Sequence, residues 1–143
     1  MAIYLNGVGT SAVLLTVSGT TLTDHVRSVD IHFEYDRVDV TAMNATNKAF
    51  LVGLPESTMT VEFYQDFAAS SVDATLSPLL GSSTGATVVF QTSGATVSTA
   101  NPKYSAVMGI FTYDPVNGAV GEASTTSVEF RPISGTGITR GTS

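Results

Sequence analysis

The sequence predicts a mainly β domain in which two packed antiparallel β-sheets, as a sandwich or half-barrel, carry one short α-helix. Apolar and polar residues alternate with period two over residues 26–41 and 58–66, as half-buried strands require. Turn-forming pairs, Ser-Gly at residues 18–19 and Asn-Gly at residues 117–118, flank apolar runs. A chain of 143 residues is long enough to bury one core, which predicts a single domain over residues 1–143.

Residues 1–25 are predicted to form an N-terminal arm, rich in Gly, Ser and Thr, around one apolar run at residues 12–17. A further turn is expected at residues 6–7. Because the apolar run carries no charge, it can pair with the edge of its own sheet or with the sheet of another subunit, and the first alternative is favoured. Leu14 and Leu15 are candidates for a subunit interface.

Residues 26–80 read as strand, strand, tight loop, strand and then helix, and they hold eight of the twelve acidic residues. Phe33 lies on the apolar side of the first strand, which predicts a core position, whereas Asp30 and Glu34 lie on the polar side. A short polar loop, MNATNK, follows. Gly53 lies where a bulge or tight turn is expected.

The strand at residues 58–66 alternates in the same way. Phe63 falls on its apolar face and is predicted to pack between the sheets. Glu62 falls on its polar face. Tyr64 also lies on the polar side, and because tyrosine is favoured at interfaces it joins the candidate interface residues.

A short helix is predicted after residue 70, because serine stands at the cap position and Asp73 in the first turn. Val72 and Leu76 share its apolar face. Further strands are predicted at residues 86–91, 104–113 and 125–131. The C-terminal tail, residues 132–143, is rich in Gly, Thr and Ser and is expected to be ordered by neighbouring subunits.

The net charge of −6 and the pI near 4.5 argue against a nucleic-acid-binding protein, which needs clustered Lys and Arg. They are compatible with a surface that nucleic acid slides past, because like charge prevents adsorption. No apolar run has the length of a membrane span, and no secretory signal is readable at the N-terminus. No membrane contact is therefore predicted.

No cofactor, metal or catalytic site is predicted. The chain has no cysteine, and His25 and His32 lie among acidic residues without the spacing typical of zinc ligands, so both are interpreted as solvent-facing. The Gly-rich residues 81–85 lack the lysine and the following helix of a phosphate-binding loop. No Gly-x-Ser-x-Gly elbow marks a nucleophilic serine.

The order of these features resembles the small tail tube proteins, or major tail proteins, of long-tailed bacteriophages. The resemblance covers residues 22–80 and 98–140. No single segment is diagnostic, but the order in which the matching segments follow one another is moderately specific. It is carried by LTDHVRSVDIHFEYDRVDVT, FLVGLPESTMTVEFYQDF and SVDATLSPLLG, then by STANPKYSAVMGIFTYDPVNGAVGEASTTSVEF and the terminal SGTGITRGTS.

The resemblance implies a homo-oligomer of hexameric rings, in which each subunit lends strands to a continuous inner barrel. Stacked rings would form a tube with an acidic lumen, assembled in the host cytoplasm together with other virion proteins. Genomic DNA would pass through the lumen without specific binding. Asp30, Glu34 and Glu62 are the candidates for the lumen wall.

One departure from the larger family members concerns the loop at residues 41–50, which has no long insertion. In those relatives a long loop there helps one ring grip the next, and the short loop here argues against stacking by that route. A capsid decoration protein with the same fold is therefore kept as an alternative. A carbohydrate-binding β-sandwich is a more remote one, which the absence of tryptophan weakens.

Overall fold

The fold was determined as a computed structural model that describes residues 13–143. The turn predicted at residues 6–7 lies outside the described residues. The strands are β1 (Leu14–Val17), β2 (Thr20–Thr21), β3 (Val26–Asp39), β4 (Phe50–Tyr64), β5 (Ala86–Gln91), β6 (Lys103–Ile110), β7 (Thr125–Pro132) and β8 (Thr139–Gly141). The helix α1 spans Val72–Leu76. Short 3-10 turns lie at Thr23–His25 and Ser77–Leu79.

All eight strands belong to one antiparallel sheet in the order β2-β1-β5-β6-β7-β4-β3, with β8 paired to β6. The mainly β class and the single short helix of the sequence-based prediction are confirmed. The strands form one continuous sheet instead of two separate sheets. Leu15 of β1 and Val61 of β4 nevertheless belong to the same buried cluster. The sheet therefore wraps round a shared core, which corresponds to the half-barrel form of the prediction.

The core is built from the inward side of alternating strand positions. In β4 the residues Met59, Val61 and Phe63 are fully buried, whereas the residues between them are partly exposed. Val128 and Phe130 of β7 repeat the pattern next to them. Phe63 is thus a core residue, as predicted. This period of two fixes which face of the sheet remains available to solvent.

The N-terminal apolar run forms an ordinary strand of the sheet. β1 pairs with β5 on one side and with the two residues of β2 on the other. The tight turn between β1 and β2 uses Ser18 and Gly19, both with positive φ, as the twist of a two-residue hairpin turn requires. The predicted turn at residues 18–19 and the favoured pairing within the chain's own sheet are both observed.

The helix α1 closes one side of the core through Val72 and Leu76, the two residues predicted to share its apolar face. Leu79 of the following 3-10 turn is buried with them. Ser71 occupies the N-cap position, but its side chain makes no cap hydrogen bond. The hydroxyl donates instead to the carboxylate of Asp66, at 2.7 Å.

The C-terminal tail forms part of the fold, which corrects the expectation that neighbouring subunits order it. β8 pairs with β6 between Thr139 and Ser105, and Ile138 is buried in the core. The Ile138 N–H donates to Ser57 Oγ at 3.0 Å, which ties the tail to β4. The chain therefore supplies its own partner for this segment.

The two longest strands, β3 and β4, extend beyond the rest of the sheet. β7 pairs with β4 only between Met59 and Tyr64, whereas β3 pairs with β4 as far as the pair Asp39 and Phe50. Between Met59 and the loop that joins β3 to β4, the hairpin is a ribbon of two strands. Because no third strand among residues 13–143 pairs along it, most of its side chains are exposed on both faces.

Phe33 shows the consequence of this geometry. Its ring lies 6.1 Å from the ring of Tyr104, but the residue is 48% exposed. The prediction that Phe33 belongs to the core is therefore wrong. The alternation of β3 continues into the ribbon, but the core that the alternation would face ends before Phe33.

A bulge in the ribbon coincides with Gly53. The register shifts between Tyr35 and Arg37, so that two residues of β4 lie opposite Asp36. A Cβ at Gly53 would lie 2.8 Å from the Cβ of Asp36, closer than real side chains approach. The bulge predicted at Gly53 is observed, and glycine is needed there because the two strands approach closely.

Two phenylalanines of the hairpin test where the core ends. Phe63→Ala is expected to lower the free energy of unfolding by about 3–5 kcal/mol, because it empties a fully buried site. Phe33→Ala removes the same side chain from a half-exposed site, and it is expected to cost less than about 1.5 kcal/mol. Urea unfolding of both variants measures the difference. Equal losses would contradict the position of the core boundary.

Candidate assembly surfaces

The first surface is the arm, defined as residues 36–54 at the outer end of the β3–β4 hairpin. Its cross-strand pairs place Val38 beside Leu51 on one face. On the other face the guanidinium of Arg37 lies 4.7 Å above the ring of Phe50. The other exposed large apolar residues of the arm are Val40, Met43, Val52 and Leu54. An isolated two-stranded ribbon is marginally stable in water, so this apolar arm is typical of a contact surface.

The loop at the tip of the arm is held by its own hydrogen bonds. The Val40 N–H donates to the carbonyl of Ala49 at 2.9 Å, and the Ala49 N–H donates to Thr41 Oγ1 at 2.9 Å. The Thr41 N–H donates to the carboxylate of Asp39 at 2.9 Å. Hydrogen bonds from Thr41 hold the pKa of Asp39 below its ordinary value. The tip is therefore short and internally bonded.

The second surface is the acidic face, defined by the carboxylates that β3, β4 and β7 direct away from the core. The register places Glu34 opposite Glu56 and Asp30 opposite Thr60, which in turn pairs with Glu129. Glu62 lies two residues farther along the same face of β4. The acidic face therefore includes all three predicted lumen residues, and it consists of Asp30, Glu34, Glu56, Glu62 and Glu129.

Two arginines offset part of the charge of this face. Arg27 Nη1 donates to Glu62 Oε1 at 2.8 Å. Arg131 contacts Glu56 at 2.9 Å and Glu129 at 2.6 Å. Five carboxylates against two guanidinium groups leave the face negative.

The two remaining carboxylates of the face are less tightly paired. Asp30 has no ion pair among the described residues, and its carboxylate faces solvent. Glu34 Oε2 lies 3.5 Å from Nε2 of His32. His32 is exposed, as the sequence predicted. The predicted lumen residues thus differ in how much of their charge is offset.

The predicted interface residues do not lie in one place. Leu15 is fully buried in the core, so it cannot contact another subunit, and its assignment to an interface is corrected. Leu14, its neighbour in β1, is partly buried. Tyr64 is 43% exposed at the end of β4, where a partner can reach it.

The third surface is the loop pole, defined as residues 23–25, 64–73 and 112–124, at the end of β4 opposite the arm. Gln65 ties the pole together: its side-chain N–H groups donate to the Pro115 carbonyl at 2.6 Å and to the Tyr113 hydroxyl at 2.9 Å. The Tyr113 hydroxyl donates to Asp73 at 2.9 Å, and burial with the nearby carboxylate raises the pKa of Tyr113.

The loop pole also carries a set of exposed apolar side chains. Tyr64 belongs to this set, and Val120 is fully exposed. The remaining members are Phe67 and Val116. Apolar residues clustered on one end of a small protein are typical of an interaction surface.

A histidine clamp joins the loop pole to the start of β3. His25 places Nδ1 2.9 Å from Asp24 and Nε2 3.0 Å from Asp66. The N–H of Ala68 donates to Asp66 at 2.9 Å and the hydroxyl of Ser71 donates to it at 2.7 Å. The pKa of Asp66 is lowered, first by the bond from Ala68 and then by those from Ser71 and His25.

The clamp contains a serine, a histidine and an aspartate but does not have the geometry of a nucleophilic site. Ser71 Oγ lies 3.5 Å from Nε2 of His25 and only 2.7 Å from the Asp66 carboxylate, to which it donates its hydrogen. A histidine that activates serine must instead accept that hydrogen. The residues hold the loop after β4 against the start of β3.

A groove of about 510 Å³ lies at the base of the arm. Its walls are formed by Phe33 and Tyr35 of β3, by Phe111, and by residues 134–138. Among residues 13–143 no group of three His, Cys, Asp or Glu side chains is arranged to hold a metal ion. In the same part of the chain, no helix is long and apolar enough to cross a membrane.

Solved structures with a similar fold come from particles of a gene transfer agent. A chain in the tail of an empty gene transfer agent particle, refined with C6 symmetry, matches with a TM-score of 0.67 and 13% identity. The match covers 94% of this chain and 96% of that one. The chain has the fold of a tail protein.

A chain in the virion of the native gene transfer agent particle matches with a TM-score of 0.65 and 13% identity, over 82% of this chain and 88% of that one. No protein-family model matches the sequence. No curated protein matches it either. The likeness to tail proteins is therefore one of fold, and it extends over nearly the whole chain.

Two features of these surfaces were missed in the sequence. The arm has a visible signal, because the run FLVGL at residues 50–54 is apolar without alternation. A strand with one buried face would alternate, so this run indicates apolar side chains on both faces of a strand. The histidine clamp has none, because His25 and Asp66 lie 41 residues apart and only the fold brings them together.

Asp66→Asn tests the clamp through the pH dependence of stability. Because folding lowers the pKa of Asp66, its carboxylate stabilises the fold fully above the unfolded pKa of about 3.9, and this contribution is lost as pH falls through the folded pKa. The wild type should therefore exceed Asp66→Asn in thermal midpoint at pH 6, with the gap closing below about pH 4.

Asp114→Asn is the matched control for this measurement, because Asp114 is exposed and makes no hydrogen bond or ion pair within residues 13–143. Its midpoint should follow that of the wild type at both pH values. A gap between wild type and Asp66→Asn that stays constant down to pH 2.5 would show that the Asp66 charge does not stabilise the clamp.

Proposed function

We propose that this protein is the tail tube subunit of a phage-type particle, which forms hexameric rings that stack into a tube. The observation that carries the proposal is the whole-chain fold likeness to a chain in a tail with C6 symmetry. In this proposal the subunit is a structural component of the virion, assembled in the host cytoplasm with other tail proteins, and it catalyses no reaction.

Ring closure is proposed to use the two edges of the sheet. β3 lies at one end of the strand order and β1 with the two-residue β2 at the other. The outer edge of β3 is 14 residues long and pairs with no other described strand. A free edge of this length favours pairing with another chain, and a closed ring leaves no such edge unpaired. The edge of β3 therefore becomes part of an inner barrel.

Contact between rings is proposed to use the arm. The short loop at residues 41–50 argues against stacking through a long loop at that position. In the structure the strands themselves carry the apolar surface beyond the sheet, so a long loop is not needed to extend it. Burying the arm against a second ring would remove from water the apolar side chains that one subunit leaves exposed.

The acidic face is proposed to line the lumen, with Asp30, Glu34 and Glu62 on its wall. A wall of the same sign as DNA repels the phosphates and prevents adsorption. At physiological salt this repulsion extends about 8 Å, so it acts only close to the wall. Passage of the genome then needs no specific binding.

Val52→Asp tests the arm. Val52 is 75% exposed in the single subunit, so the change should shift the free energy of unfolding by no more than about 0.5 kcal/mol. In a stacked tube the new carboxylate would be taken out of water, with only Arg37 opposite it in the ribbon to offset its charge, which is unfavourable. Negative-stain microscopy should show tubes for the wild type and only rings or free subunits for Val52→Asp.

Ser83→Asp is the control for the arm variant, because it adds the same charge in an exposed loop outside the arm. It should still form tubes. Tubes of normal length from Val52→Asp would remove the arm from the stacking contact, whereas failure of Ser83→Asp as well would show that added negative charge alone prevents assembly.

Asp30→Cys tests the lumen wall, and the absence of native cysteine makes the thiol unique. In the free subunit the thiol should react with both a small maleimide and a polymer-linked one. In assembled tubes it should react with the small reagent only, because the lumen admits small molecules. Reaction with both reagents would place Asp30 on the outside, and reaction with neither would place it in a subunit contact.

A further inference from the structure

Asn117 and Gly118 form the only Asn-Gly pair among residues 13–143, and they lie in the loop pole. An Asn-Gly pair favours a two-residue hairpin turn, but no hairpin uses this one. The preceding strand, β6, ends at Ile110 and the next strand, β7, begins at Thr125, so the pair lies within a long irregular loop. Both residues are exposed. The chemistry of the pair can therefore be considered apart from any turn.

An asparagine that precedes a glycine can lose its side-chain amide without an enzyme. The backbone nitrogen of the glycine attacks the side-chain carbonyl carbon, Cγ, and closes a five-membered succinimide ring. The bond from Cγ to the amide nitrogen breaks, and ammonia leaves with the proton that the backbone nitrogen gives up. Water then opens the ring at either carbonyl, which leaves aspartate or isoaspartate. The first step needs an accessible side chain and a backbone nitrogen that no hydrogen bond holds.

The structure meets both requirements at Asn117. Its side chain is exposed and makes no hydrogen bond within residues 13–143. The N–H of Gly118 likewise has no acceptor in the part of the chain that the structure describes. Glycine has no side chain to shield its nitrogen, and its φ of 142° is one that other residues rarely adopt. The attacking nitrogen and the carbon it attacks are therefore both accessible.

The three other asparagines of the described chain each lack one of these conditions. The N–H that follows Asn44 donates to the carbonyl of Ala42 at 3.0 Å. The N–H that follows Asn47 donates to the side-chain oxygen of Asn47 itself, at 3.0 Å. Asn101 is buried, and the proline after it has no N–H to give up. The fold thus protects these three sites and leaves Asn117 unprotected.

Asn117 lies at the neck of a small loop, residues 118–124. Its main-chain carbonyl accepts a hydrogen bond from the Ser124 hydroxyl at 2.8 Å. Gln65 holds both sides of this neck, because its side chain donates to the Pro115 carbonyl at 2.6 Å and its backbone N–H donates to the Ser124 carbonyl at 2.9 Å. The course of the small loop therefore depends on the main chain at Asn117.

We propose that Asn117 is a site of spontaneous deamidation that alters the loop pole. In the isoaspartate product the main chain runs through Cβ and Cγ, so it gains one methylene group. The carbonyl that Ser124 holds leaves the main chain and becomes a free carboxylate. Either product adds a negative charge between Val116 and Val120, two exposed apolar residues of the pole. The reaction is a property of the single subunit and does not depend on the tail tube function.

Peptide mapping of the wild-type protein tests the site. The protein is kept near neutral pH for days, digested at mildly acid pH to limit further reaction, and analysed by mass spectrometry. Asn117 is expected to convert from amide to acid faster than Asn44 and Asn47 by at least about tenfold, which corresponds to about 1.4 kcal/mol in the activation barrier. Electron-transfer fragmentation should identify isoaspartate among the products. Equal rates at the three sites, or a product without isoaspartate, would overturn the proposal.

The same measurement in guanidinium chloride separates the effect of the fold from that of the sequence. Unfolding removes the hydrogen bonds that protect Asn44 and Asn47, so deamidation at both should accelerate. At Asn117 the folded and unfolded rates are expected to differ by less than about tenfold, because the folded chain does not protect it. A folded rate that is lower by more than this factor would show that the native loop shields Asn117.

Two variants at Asn117 test what the modification does to the loop. Asn117→Gln should not react, because glutamine would have to close a less favourable six-membered ring. Asn117→Asp adds the charge without lengthening the main chain. Amide hydrogen exchange over residues 118–124 should be faster in aged wild type than in either variant. Exchange in aged wild type equal to that of Asn117→Gln would contradict the loosening of the neck.

Discussion

The pairing of β3 with β4 is the interaction on which the rest of the structure depends. The two strands stay paired from Val26 to Asp39, with a register shift at each end, but the third strand, β7, pairs with β4 only between Met59 and Tyr64. Where β7 pairs with β4, the apolar residues of the hairpin form a core. Past the end of β7, the same hairpin continues with its apolar side chains exposed. One pairing therefore stabilises the domain and also carries an apolar surface out of it.

The same pairing fixes the distribution of charge. Because side chains alternate along a strand, packing Val61 and Phe63 inward directs Glu62 outward, and the register brings Asp30 and Glu34 of β3 to the same face. A shift by one residue would bury these carboxylates. The packing of the core therefore also fixes the position of the acidic face.

Much of the fold could be predicted from the sequence because period-two alternation and turn chemistry are local signals. The strand at residues 86–91, the turn at residues 18–19 and the bulge at Gly53 follow from such signals. Two other features could not be predicted. Phe33 alternates like a core residue, but its burial depends on where β7 ends. β8 lies in a polar tail whose partner, β6, is distant in sequence.

The proposed tube is tested most directly by electron cryomicroscopy of the purified wild-type protein under assembly conditions. The account predicts stacked rings of six subunits around a channel, with Asp30 and Glu34 on the channel wall and the arm inserted between consecutive rings. A protein that stays monomeric at high concentration would contradict this account. Rings whose channel is lined by any face other than the acidic one would contradict it as well.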